Sequence, residues 1–167
     1  MIEISQAAKS DIPLIQQIAH QTWPATFSTI ISKGKMNYML EMMYSIQSLT
    51  EQIEKNGHCF ILAKNNQQGV GFASYELNYK KSKATKIHKL YVLPETQGQG
   101  VGKLLINEVT KLAKQSDNDV LSLNVNRNNP AIQFYERFGF NKLREGNELI
   151  GGGYRMEYYL MEKQISK

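Results

Sequence analysis

The sequence predicts an α/β domain on a mixed, twisted sheet of about seven strands with four helices, in the order β-α-α-β-β-β-α-β-α-β-β. Three observations predict it. The hydrophobic period switches along the chain: short apolar runs at 59–63 and 70–77, helical spacing from Val101 to Ala113, then alternation at Leu121, Leu123 and Val125. A glycine-rich hexapeptide, Gln97-Gly98-Gln99-Gly100-Val101-Gly102, separates a strand pattern from a helix pattern. The 167 residues, 41% of them hydrophobic, suit one domain, 1–167, with a single real core.

Each element has a local cause. Ile2 and Ile4 alternate with polar residues and read as a first strand. Ser10-Asp11 offers a helix cap with Pro13 in the first turn; Leu14, Ile15, Ile18 and Ala19 follow at helical spacing. Pro24 is expected to end or kink that helix. Residues 35–56 read as helical in two pieces, around Met39, Leu40 and Met43, then Leu49 and Ile53. Cys59 to Ala63 and Val70 to Leu77 form a hairpin around the polar turn at 65–69, and Thr85 to Leu93 is a third strand stopped by Pro94. Val101, Leu104, Leu105, Val109, Leu112 and Ala113 make a helical stripe. Asn129-Pro130 starts a short helix whose apolar face is Ala131, Phe134, Tyr135 and Phe138, and Gly139 stops it. Phe140 to Arg144 and Tyr154 to Met161 are the last strands, around Gly151-Gly152-Gly153, a segment that reads either as a mobile loop or as a hairpin turn.

Charge and cysteine count exclude several classes. The net charge of +5 is mild, and the run Lys80-Lys81-Ser82-Lys83 lies between strand patterns, where a solvated turn is the simpler reading than a nucleic-acid contact. No run of 18 apolar residues spans a membrane, and the start of the chain lacks a basic region followed by an apolar run, so a cytoplasmic protein is expected. A single cysteine, Cys59, rules out an intramolecular disulfide framework. In an apolar strand it reads as a buried, inert thiol. His20 and His58 lack paired ligand spacing, so no metal site is expected.

The glycine loop reads as a phosphate cradle. Glycine lets backbone N–H groups approach a ligand, and the next helix adds free donors and partial positive charge. A plain β-α turn is the alternative. The triphosphate loop G-x-x-x-x-G-K-[ST] fails at Gln97 and Leu104, and the dinucleotide fingerprint G-x-G-x-x-G fails at Lys103.

The segment Leu90-Tyr91-Val92-Leu93-Pro94-Glu95, then Gln97, Gly100 and Gly102, resembles the acyl-CoA signature [QR]-x-x-G-x-[GA] of the GNAT superfamily of N-acetyltransferases. Asn128-Asn129-Pro130-Ala131 through Phe134-Tyr135 to Gly139-Phe140 is similar to the family's second motif. Both occur in family order, and the likeness covers nearly the whole chain. It is weaker in the N-terminal half, where Trp23 to Phe27 and Leu49 to Ile53 resemble bacterial spermidine/spermine-type acetyltransferases. The resemblance implies the GNAT acyl-CoA N-acyltransferase fold and acetyl-CoA as co-substrate. It implies that the backbone of Leu90, Tyr91 and Val92 pairs with the pantetheine arm. The N–H groups of Gln97, Gly98, Gln99, Gly100, Val101 and Gly102 would hold the pyrophosphate, with Lys103 adding charge. Asn128 and Ala131 would belong to the same site, and Tyr135 would lie beside the thioester sulfur.

Amine acetylation needs an acid and a base. An alkylammonium has a pKa near ~10, so only about one molecule in a thousand is nucleophilic at neutral pH. Tyr135 is protonated there and suits the acid; its other reading is a core tyrosine on an apolar helix face. Aligning on Leu90-Tyr91-Val92 brings His88 to the place where many family members carry a glutamate, which suggests a base working through water; a structural strand histidine is the alternative. With no G-x-S-x-G and an inert Cys59, direct attack in a ternary complex is expected, with a backbone N–H at Leu90 or Tyr91 meeting the oxyanion. The acceptor is expected to be a small-molecule or peptide amine, a polyamine being one option if Glu41, Glu51 and Glu54 converge. A non-catalytic acyl-CoA sensor and a peptide or protein N-acetyltransferase are the alternatives. Dimers are common in the family, and a homodimer is one option for this chain.

Overall fold

A computed structural model describes residues 1–166. Among these, the order is β1 (Ile2–Gln6), α1 (Ile12–Phe27), α2 (Lys33–Tyr44), α3 (Ile46–Glu54), β2 (Cys59–Asn65), β3 (Gln68–Glu76), β4 (Ala84–Val92), α4 (Val101–Gln115), β5 (Val120–Asn126), α5 (Ala131–Arg137), β6 (Asn141–Gly151) and β7 (Tyr154–Gln164), joined in places by 3-10 turns. All seven strands form one sheet, ordered β1-β2-β3-β4-β5-β7-β6. Only β4 and β5 are parallel, as the α4 crossover between them requires.

The sheet separates two apolar clusters, as alternation along each strand dictates. On one face α4 and α5 bury Val101, Leu105, Ile106, Val109 and Tyr135 against Ala73, Ile87, Leu123 and Met161. On the other, α1, α2 and α3 bury Ile15, Trp23, Met39, Tyr44 and Leu49 against Phe60, Leu62 and Phe72. The predicted stripe of α4 differs at one place: Leu104 is 40% exposed and Ile106 is fully buried.

Two expectations are corrected. The segment 35–56 is not one interrupted helix but two, so the helices number five. Ser45 stands at the junction in extended conformation, closing α2 through its N–H to Glu41 O and capping α3 as its Oγ accepts from the Ser48 N–H. Pro24 neither ends nor breaks α1, which runs on to Phe27. Pro24 and His20 are both exposed, so the carbonyl that loses its helix donor lies on the solvent side.

The Gly151–Gly153 segment is the tight end of the β6–β7 hairpin. Its glycines have φ of +96°, +61° and +79°. The Tyr38 hydroxyl donates to Ile150 O at 2.8 Å, and a Cβ on Gly151 would collide with that hydroxyl. The hairpin is thereby docked on α2. No helix among the described residues is long and apolar enough to cross a membrane.

Candidate active site

β4 and β5 are hydrogen-bonded neighbours only from Ala84↔Val120 to Ile87↔Leu123. Beyond that point they part: β5 continues against β7 through Asn126↔Tyr158, while β4 continues against β3 through Gly71↔Val92. The fork opens a cleft of about 780 Å³. Its β4 wall is the unpaired edge of residues 88–92, which an extended ligand can complete as an added strand. Leu90, Tyr91 and Val92 lie on that wall, as does His88.

The glycine loop closes one end. Gln97, Gly98, Gly100, Val101, Gly102 and Lys103 line the cleft; Gln99 does not and points its side-chain amide to Glu95 O at 3.5 Å. Gly98 and Gly100 have φ of +83° and +80°, the left-handed conformation that glycine adopts without strain. The turn delivers the start of α4 to the cleft, with the donors of its first turn free. Phe134 of α5 packs within 3.3 Å of the position a Gly102 Cβ would occupy, so the two motifs meet there. Ala131 lines the cleft. Asn128 is exposed and outside its lining, and its N–H donates to Asn126 Oδ1 at 2.8 Å. Asn129 lines the cleft instead, and its Oδ1 caps α5 by accepting from Ala131 N–H at 2.8 Å.

Tyr135 faces the cleft from the α5 side. Burial, then the neighbouring Tyr91, push its phenol well above the ordinary tyrosine range, so it stays protonated at any physiological pH. Its hydroxyl has no hydrogen-bond partner among the described residues. His88 stands where the strands part, at a bulge. The β3–β4 register jumps from Ser74↔Lys89 to Tyr75↔Ile87, leaving His88 as the extra residue. Its Nε2 is 3.0 Å from Glu76 Oε1, and its ring stacks on His58 at 3.9 Å. Burial, then Lys89 and Lys86, lower the His88 imidazolium to about 3. The residues lining the cleft include Lys35, Lys89, Lys103 and Arg137 and no Asp or Glu, a field that suits a polyanionic ligand.

Lys89 is a buried ammonium, 8% exposed, whose Nζ donates to Gln52 Oε1 at 2.7 Å and has no carboxylate beside it. Burial lowers it from 10.5 to about 8. The unfolded chain therefore holds more protons between these values, and stability rises with pH across that window by up to about 3 kcal/mol. Burial raises the phenols of Tyr44, Tyr91 and Tyr135, so their contribution is present below about 10 and is lost above it. Urea unfolding is expected to give stability that climbs from pH 8 to about 10 and then falls. Burial also lowers Lys86 to about 8, so Lys89→Met should reduce the climb without abolishing it and should stabilise the fold at pH 7; an unchanged pH profile in that variant would contradict this account.

Several residues at the site carry no sequence signal. His58, Glu76 and Lys89 belong to no motif, and only the strand register brings the first two beside His88. Trp23, Met39, Met43 and Tyr44 line the α1–α2 side of the cleft, whereas Glu41, Glu51 and Glu54 do not line it.

Known proteins resemble this chain. The acetyltransferase (GNAT) family matches residues 15–140, more than half of the chain. An uncharacterised N-acetyltransferase, MJ1207, from Methanocaldococcus jannaschii is 33% identical over 102 residues, 58% of this chain and 43% of that protein, so the chain spans less than half the length of this relative. The spermidine N(1)-acetyltransferase of Thermoplasma acidophilum is 25% identical over 144 residues, 83% of this chain and 88% of that one. Among solved structures, the PaiA N-acetyltransferase of Thermoplasma acidophilum, in complex with coenzyme A, superposes with a TM-score of 0.82 at 23% identity, covering 98% of this chain and 99% of the other. That likeness is one of fold. The chain belongs to the acetyltransferase (GNAT) family.

Proposed function

We propose that this chain moves an acetyl group from acetyl-CoA to a small primary amine by direct attack in a ternary complex. The observation that carries the reading is the fork between β4 and β5, which has the glycine loop at one end and Tyr135 facing its free edge. The residues present fit the co-substrate. The edge at 88–92 offers backbone partners to an amide-bearing arm, and the loop and the start of α4 offer N–H groups to a pyrophosphate. Lys103 and Arg137 add charge. The amine nitrogen attacks the thioester carbon, and a strand N–H at Leu90 or Tyr91 meets the oxyanion. As the C–S bond breaks, Tyr135 gives its proton to the sulfur; the proton lost by nitrogen leaves through water to His88, and exchange with solvent returns both side chains to their starting states.

His88 is the base in this reading, acting through water. Glu76 at Nε2 supports the role, because a carboxylate stabilises an imidazolium. Burial and the two lysines weaken the base, so it acts late, on the nitrogen already bonded to carbon and more acidic than a free ammonium. A polyamine acceptor is suggested by the spermidine N(1)-acetyltransferase relative. A specific observation favours a less cationic amine: Lys35 and Lys89 line the cleft and no carboxylate does.

Release of CoA thiol with a panel of amines tests both points. Turnover is expected, with monoamines or amino-acid amines at least tenfold better in kcat/KM than spermidine. Coenzyme A binding without turnover on any amine would instead support an acyl-CoA sensor. Spermidine as the best acceptor would overturn the charge argument alone.

A further inference from the structure

We propose that His58, Glu76 and His88 form a site for a single divalent transition-metal ion on the wall of the cleft, and that occupancy of the site inhibits acetyl transfer. The first half of this proposal is independent of the function given above; the second half rests on His88 being the base.

Strand register assembles the cluster. Cys59 pairs with Tyr75 and Tyr75 with Ile87, so the residues one step outward, His58 and Glu76, meet at one end of β2 and β3. The bulge then re-aims His88 towards them. The two imidazoles lie parallel, 9° apart, with ring centroids at 3.9 Å. Their lone pairs lie in the ring planes, so ligation of one ion requires one ring to turn out of the stack about its Cβ–Cγ bond. Both turn Nε2 to the same carboxylate oxygen, at 3.0 Å from His88 and 3.7 Å from His58. One ligand atom from each of the three residues lies within 4.8 Å of the others. An ion with tetrahedral bonds of about 2.0–2.1 Å needs its ligands roughly 3.3 Å apart, a value between the two observed separations. The side chains are 15%, 25% and 19% exposed for His58, Glu76 and His88, so the ion has a path of entry and a fourth position for water.

The chemistry selects the class of ion. Two imidazoles and one carboxylate suit Zn²⁺, Co²⁺, Ni²⁺ or Cu²⁺, whereas Mg²⁺ and Ca²⁺ require mainly oxygen. Lys86 and Lys89 act against a dication, since both lie close enough to oppose a charge on His88. A reversible, regulatory site fits that balance better than a permanent structural one. Inhibition follows because a metal ion on Nε2 of His88 leaves the proton of the neutral ring on Nδ1, so neither nitrogen can accept another.

The full chain, stripped with a chelator, is titrated with Co²⁺ at pH 7.5 and its visible d–d absorption followed. Zn²⁺ is then added in competition. His58→Phe keeps the stacked ring and removes a ligand, and Glu76→Gln removes the carboxylate charge with little change of shape. Each is expected to weaken Co²⁺ binding at least tenfold with an unchanged far-UV spectrum. Wild-type affinity in both variants, or no tetrahedral cobalt spectrum in the wild type, would overturn the site. In the thiol-release assay, Zn²⁺ is expected to inhibit the wild type, and His58→Phe to lose at least tenfold in sensitivity, measured against that variant's own metal-free rate. Inhibition of equal strength in His58→Phe would overturn the regulatory half. Metal binding without inhibition would leave the site standing and remove His88 as the base.

Discussion

Tyr135→Phe is expected to lower kcat at least 100-fold while leaving the KM for acetyl-CoA within about twofold. Protonation of a leaving group by a positioned acid contributes on the order of 10²–10⁴ in rate. A 100-fold loss corresponds to about 2.7 kcal/mol of transition-state stabilisation. No Asp or Glu lines the cleft, and of the tyrosines that line it, Tyr44 and Tyr91 stand on α2 and β4, so Tyr135 is the acid that faces the sulfur from the α5 side. The substitution is also mild for the fold. The ring keeps its edge contacts with Phe134 at 5.5 Å and Phe140 at 5.6 Å, and the hydroxyl has no partner to abandon among the described residues. A fall in kcat alone identifies an interaction made in the transition state, whereas a rise in KM alone identifies plain binding. If Tyr135→Phe turned over at the wild-type rate, the proton would have to come from water and the acid assignment would fail.

The sequence made the glycine-loop side of the cleft legible and left the α1–α2 side largely dark. Gly98, Gly100 and the start of α4 could be read because a backbone cradle imposes residue types at fixed local spacing. Tyr135 could be read because it sits within a few residues of Asn129 and Pro130 on one short helix. The fork between β4 and β5 could not, since it depends on where two strands separated by α4 cease to pair. His58 and Glu76 were invisible for the same reason: three strands must settle their register, and one must bulge, before they meet His88. Lys89 reads as an ordinary polar position in an alternating strand, yet the register turns it into the apolar cluster beneath α1 and α3. Pro24 shows the opposite error. A local rule predicted an end or a kink at Pro24, and the helix did not end there: packing of Trp23 and Phe27 on either side of it carried α1 onward.

Trp23→Ala is expected to destabilise the fold by about 3–5 kcal/mol, the range for removing a large aromatic side chain from a packed core. Trp23 is 2% exposed and joins α1 to α2 and β4. Its ring contacts Phe27 in the same helix at 4.6 Å, Tyr44 of α2 at 5.8 Å and Tyr91 of β4 at 5.8 Å. Removing the indole leaves a cavity bounded by three rings on separate elements, which cannot all move in to fill it. Because the chain has a single tryptophan, unfolding must be followed by far-UV circular dichroism rather than by its fluorescence. The urea midpoint should fall with little change in slope. Trp23→Phe separates packing from polarity. The indole Nε1 is buried without a hydrogen-bond partner, so phenylalanine gives up volume and also removes an unsatisfied donor worth about 1–3 kcal/mol. Its loss should therefore be much smaller than that of alanine. Acetyl-CoA affinity should change little in either variant, since α4 and α5 pack into the cluster on the opposite face. The acceptor KM should rise in Trp23→Ala, because the same ring lines the cleft beside Met39 and Tyr44. A variant with an unshifted midpoint would mean that these three ring contacts do not hold α1 to β4.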